Sequence, residues 1–166
     1  TQPDGALSFP NAEVVIWQDE WNYWMYEMDV HEMPEHFSAA AQKNLPAIKD
    51  RVRLIHNDND IVPGIYPLLA FGHTPGHIGL VISSEHDELI YMADTVLHSI
   101  HIEHPEWAPG VDMLVNQAVR SRRRMLDYAA RHEAMVMCYH FEFPGLGTVT
   151  PRADSWAWQP LEHIRA

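Results

Sequence analysis

Between residues 61 and 93 the sequence reduces to three short apolar or alternating runs, Ile65 to Phe71, Ile78 to Ser83 and Glu88 to Ala93, each bounded by Gly, Pro or Asp. Runs of this length and punctuation are strands. Strands so close in sequence must find partners for their backbone N–H and C=O groups, and they are expected to pair with one another as sheet neighbours. Around them the periodicity changes. Glu13 to Trp17 is a β-branched strand, and residues 18–28 repeat Trp21, Trp24, Met25 and Met28 at helical spacing. The aromatic stripe Trp17, Trp21, Tyr23, Trp24 and Tyr26 reads as packing. Pro34 to Lys49 opens with Pro and has an Ala-rich middle, a helix interrupted by Pro46. Arg51 to Ile55 follows as a strand ending in the turn cluster HNDND.

The spacing of Val111, Leu114, Val115, Ala118, Met125, Leu126 and Ala129 predicts a helix over 111–132, with Asp112 favourably placed near its start. Its RSRRR run, residues 120–124, is expected to be a solvated face. Ala134 to Tyr139 is another buried strand, which delivers His140 into the loop HFEFPGLG. A short strand or helix carrying Trp156 and Trp158 then closes the fold. The result is a mixed α/β (α+β) chain of one domain, residues 1–166, without repeats.

Composition sets the outer limits. A chain of 166 residues can bury roughly two thirds of its unfolded surface, enough for a core without staples. Its single cysteine, Cys138, excludes an intrachain disulfide. No apolar run approaches the roughly 20 residues that span a bilayer, and no membrane partner is expected. No signal peptide is recognisable, which leaves the compartment open. With 23 acidic against 11 basic residues and a formal charge of −12, nucleic acid is not an expected partner. The first residues, TQPDGALSFP, start at Thr1 and read as a loop entering a strand, the look of a piece of something longer or of a processed start. Twelve histidines outnumber Lys and Arg together.

Three of the potential metal-binding residues stand at the ends of predicted strands: His77 in Gly72-His-Thr-Pro-Gly-His77, Asp94 in Tyr91-Met-Ala-Asp94, and His140 after Tyr139. Imidazole and carboxylate suit borderline cations such as zinc. A carboxylate can also bridge two ions. Singly, each residue has a plainer use: a strand-end histidine is commonly structural, and an Asp after a strand is commonly a cap.

Taken together, GHTPGH, the strand ending in Asp94 and the later His140 resemble the metallo-β-lactamase superfamily. FPNAEVVI at 9–16, HPEW at 104–107, the Arg-rich helix and HFEFPGLG at 140–147 are similar to its lactonase and methyl-parathion-hydrolase branch. The resemblance implies an αββα sandwich and two divalent metal ions, zinc by preference, holding a bridging hydroxide that attacks a small-molecule ester, lactone or phosphotriester. His77 would then ligate the first metal, Asp94 would bridge both, acting in catalysis, and His140 would ligate the second. The family's His-x-His-x-Asp-His motif does not occur in these 166 residues. The expectation is therefore a partial sandwich lacking its N-terminal strands, inactive alone because each metal keeps too few of the roughly four ligands zinc uses.

Other residues take supporting roles in this reading. His73 would orient the loop or stand behind a ligand, and His98 would bind substrate near the metals. Trp107 and Phe141, with Phe143 and Pro144, would wall an acyl group, whereas His101 and His104 read as exposed loop residues. A homodimer is implied by the resemblance alone. The alternative is a noncatalytic protein of the same fold that binds a partner. A histidine-rich metal buffer is a weaker idea, because the histidines are scattered.

Overall fold

The computed structural model describes residues 1–2, 4–29 and 34–161. They gather into two compact units, Thr1–Asn57 and Asp58–Ala166. In the first, β1 (Val14–Trp17) pairs in parallel with β2 (Val52–Ile55), Val14 opposite Val52 and Trp17 opposite Ile55. A parallel pair needs a long crossover. This one carries α1 (Gln18–Asn22), which runs on into a π-helical turn at Tyr23–Glu27, and α2 (Glu35–Ile48). Pro46 does not interrupt α2 as expected. It sits in the last turn, where the absent N–H forfeits one bond and the helix stops at Ile48. The aromatic stripe divides: Trp17 and Trp21 are buried, while Tyr26 is 73% exposed.

The second unit is a six-stranded sheet in sequence order: β3 (Ile65–Leu69), β4 (Ile78–Ser84), β5 (Asp87–Tyr91), β6 (Met135–Met137), β7 (Leu146–Pro151) and β8 (Trp156–Pro160). All neighbours are antiparallel except β5 and β6. That one parallel pair again requires a crossover, which contains α3 (Ile100–Glu103) and α4 (Val115–Arg131). Met125, Leu126 and Ala129 of α4 join Val81, Ile90, Val136 and Val149 of four strands in one core. Each fully buried aliphatic side chain of this kind contributes about 1.5–3 kcal/mol. Among the described residues no helix is long and apolar enough to cross a membrane.

Two readings of the crossover are corrected. The helix begins at Val115, not Val111, because Leu114 is non-helical, with φ −121° and ψ 72°, and Asp112 is drawn into the interior, its carboxylate paired with Arg122. The RSRRR segment is a solvated face only in part, with Arg120 and Arg124 exposed and Ser121 and Arg122 turned inward. Arg122 is fully buried, Ser121 donates to the Phe71 carbonyl at 2.7 Å and Arg124 to that of Leu69 at 2.5 Å. Buried arginine is tolerable only when its donors are matched, and here the acceptors are backbone carbonyls and Asp112.

Candidate functional site

The sheet register decides where the chemistry collects. Leu69 lies opposite Ile78, Leu80 opposite Tyr91, and Tyr91 opposite Met137. The ends of β3, β5 and β6 therefore share one sheet edge with the start of β4. From that edge emerge the loop 70–77, Asp94 and His140. Ala93 turns the chain sharply before Asp94, with φ +46°, a left-handed conformation that costs a non-glycine residue about 1–2 kcal/mol. At Gly72, φ is +131° and a Cβ would stand 2.1 Å from the Ala118 nitrogen, so only glycine lets this loop lie against α4.

Three imidazoles surround Asp94. His140 Nε2 is 2.9 Å from Oδ1 and, because a carboxylate only accepts, it donates that bond. His73 Nε2 faces the other oxygen, Oδ2, at 3.8 Å. The nearest nitrogen of His77 meets not the carboxylate but the Asp94 backbone N–H, which donates to Nε2 at 3.1 Å. The opposite nitrogen of His77, Nδ1, lies 3.1 Å from the Ala70 carbonyl, and a carbonyl partner fixes the proton there. Both ring nitrogens of His77 thus serve the backbone, and its effect is to hold the Asp94 turn. His73 is arranged differently. Its Nδ1 donates to Asp112 Oδ1 at 3.0 Å, leaving Nε2 turned toward Asp94. A carboxylate behind an imidazole is the usual support of a ligating histidine. The two loop histidines, His77 expected as ligand and His73 as its support, thus both stand beside Asp94, His77 at its backbone and His73 at its carboxylate.

Asp112 is the residue that sequence reasoning missed. As an Asp near a predicted helix start it looked like a favourable charge on a helix end. Its side chain is instead fully buried, bonded to His73 on one oxygen and to Arg122 Nη2 on the other at 3.2 Å. The sequence held no signal for this pairing beyond an acidic residue at the mouth of an arginine-rich helix.

Beside His140 lies a cavity of about 530 Å³, lined among others by His98, Phe141, Phe143, Pro144 and Trp158. Phe141 meets the Trp158 ring edge-on at 5.1 Å, and Phe143 is 86% exposed at the rim. His98 accepts the Ile100 N–H at 3.1 Å. Trp107 is not brought to this cavity: its ring is 53% exposed and stacks on His104 at 4.3 Å. His101, expected on the surface, is buried in α3. Burial pushes the Cys138 thiol up to about 12, which keeps it protonated and inert.

No protein-family model and no curated protein matches the sequence; the likeness is carried by solved structures. AidC, a dizinc quorum-quenching lactonase solved with the product N-hexanoyl-L-homoserine, superposes with a TM-score of 0.90 at 27% identity over 99% of this chain. The hydrolase AbOPH of the β-lactamase superfamily gives 0.82 at 26% over 98%. This chain has the metallo-β-lactamase fold. A probable metal-dependent hydrolase from Staphylococcus aureus, at 24% identity, shares that fold with a TM-score of 0.75 over 96% of the chain. The metallo-β-lactamase-fold chain spans about 60% of the length of the first two structures, covering 60% of AidC and 59% of AbOPH, and matches part of an αββα sandwich.

His73, His77, His140 and Asp94 offer imidazole and carboxylate donors of the kind a borderline divalent cation accepts. Ligand atoms about 2.0–2.1 Å from a tetrahedral zinc stand about 3.3 Å apart. The two imidazole–carboxylate pairs, at 2.9 and 3.8 Å, bracket that spacing, one on each oxygen of Asp94. Among the described residues no group of three His, Cys, Asp or Glu side chains could hold a metal by itself.

Proposed function

We propose that this chain is part of a metal-dependent hydrolase, in which His77 and His140 each hold one of two divalent metal ions, zinc by preference, and Asp94 bridges them, with His73 standing behind them. The observation that carries the reading is the convergence of His77 and His140 on Asp94, His77 Nε2 lying 3.1 Å from its backbone nitrogen and His140 Nε2 2.9 Å from Oδ1. The lactonase and hydrolase character of the similar structures supports it. When bound, the metals supply Lewis-acid polarisation of a carbonyl or phosphoryl oxygen and make water acidic enough to attack near neutral pH.

The chain's own residues do the rest. His77 holds the Asp94 turn through its backbone N–H, so the bridging carboxylate is aimed before any ion arrives. Phe141 and its neighbours offer an apolar wall beside His140 for the arm of a lactone, ester or phosphotriester, and His98 stands at the same cavity. The ligands that complete each ion come, in this proposal, from residues outside these 166.

Metal analysis of the full-length protein tests the reading. Two equivalents of zinc are expected, falling to one or fewer in Asp94→Ala and in His77→Ala. His73→Ala is expected to weaken binding less than His77→Ala. A zinc content indifferent to Asp94→Ala would sink the proposal.

A further inference from the structure

The start of α3 leaves the Ile100 N–H without an acceptor inside the helix, and His98 supplies one: its Nδ1 accepts that N–H at 3.1 Å. A ring nitrogen that accepts carries no proton. In the neutral imidazole the proton therefore sits on Nε2, which is a donor and nothing else. With Nδ1 turned back on its own chain, Nε2 is directed away from it, and His98 lines the cavity beside His140. Ser99 brings the same cavity a hydroxyl, but a hydroxyl serves donors and acceptors alike and selects neither.

The aromatic wall of the cavity is fixed. Trp158 lies over Gly147, where a Cβ would stand 2.6 Å from the indole, and Phe141 meets that indole edge-on with the ring planes 87° apart. A volume of about 530 Å³ walled in this way suits a small hydrocarbon or aryl arm. Among the described residues that line it there is no lysine or arginine. Glu142 stands with them, in a chain of formal charge −12, so an anionic arm is repelled.

We propose that His98 is a specificity-determining residue: it selects substrates whose uncharged arm, seated against Phe141 and Trp158, carries a carbonyl oxygen that accepts from Nε2–H. The inference deepens the hydrolase reading above and rests on it for what happens at the metals, whereas the tautomer and the donor stand without them. A substrate with a methylene in place of that oxygen covers the N–H and leaves it unpaired, and this penalty is what discriminates.

Two measurements on the full-length protein test it. In long-range proton–nitrogen correlation spectra of histidine-labelled protein, recorded at alkaline pH where the rings are neutral, His98 should show a bare Nδ1 and a protonated Nε2. Acetophenone should shift its Nε2 resonance, and α-methylstyrene, which has the same shape with a methylene for the oxygen, should not. The second measurement is kcat/KM for nitrophenyl levulinate against the matching ester whose ketone oxygen is replaced by a methylene, with a preference of about 3–10-fold expected for the levulinate. In His98→Asn, whose side chain keeps an acceptor for the Ile100 N–H but stops short of the Nε2 position, the preference should vanish. His98→Gln, whose amide reaches that position, should restore part of it, and Ser99→Ala should leave it intact. His98 found with its proton on Nδ1, a resonance that answers the ketone and its isostere alike, or a preference unchanged in His98→Asn overturns the inference. If neither ester is hydrolysed while the spectra behave as expected, the hydrolase reading fails and the donor assignment holds.

Discussion

His101 sits in α3 with little solvent contact, and its Nδ1 finds no hydrogen-bond partner among the described residues. Burial lowers its pKa below the ordinary 6.5; the Arg122 and His98 charges push the same way and Asp112 opposes them. The folded protein therefore keeps this imidazole neutral while the unfolded chain takes up a proton near 6.5. Stability linked to His101 is complete above that value and declines as the pH falls through it. Urea midpoints measured from pH 7.5 to 5 should drop for the wild type and drop less for His101→Phe. Parallel curves would show that other groups carry the acid sensitivity. The sequence could not separate His101 from His98 and His104, which share its spacing, because the choice of inward face on a four-residue helix is made by what packs on it. For the same reason Trp107 looked like a pocket wall, and stacks instead on His104.

At the level of elements, legibility followed the strength of the local pattern. The three runs between 61 and 93 became β3, β4 and β5 almost at their expected limits, since Gly, Pro and Asp end a strand whatever surrounds it. The placement of His77, Asp94 and His140 at strand ends was legible too, and the register then brought those ends to one edge. The buried partner of His73 was not: Asp112, which meets its Nδ1, lies 39 residues away in the sequence. The loop's own requirement is testable. Gly72→Ala forces an L side chain into φ +131° and drives its Cβ into the backbone of Ala118. The conformation alone costs about 1–3 kcal/mol, and the clash adds to it. Equilibrium denaturation should show at least that loss, with His73 displaced from Asp94; a neutral Gly72→Ala would mean that the loop and α4 separate easily.

Across the whole chain the core is unevenly shared. Among the described residues, the buried hydrophobic side chains of Thr1–Asn57 are Trp17 and Trp21, whereas Asp58–Ala166 holds the continuous cluster from Ala70 to Trp156. Composition made this hard to foresee, because the aromatic stripe near residue 20 suggests more core than a two-stranded pair can enclose. Local stability follows buried apolar contact, so opening free energies should differ between the units. In hydrogen exchange followed by mass spectrometry, β4, β5 and the middle of α4 should be the slowest segments, and β1, β2 and α2 should exchange faster by orders of magnitude. The site edge belongs with the slow group, since the Met92 N–H bonds to the Met137 carbonyl at 2.9 Å just before Asp94. A rigid edge suits the role proposed for Asp94, because ligands held in place before metal arrives lose less freedom on binding it. Uniform protection across both units would remove the argument that this edge is preorganised by its own half of the chain.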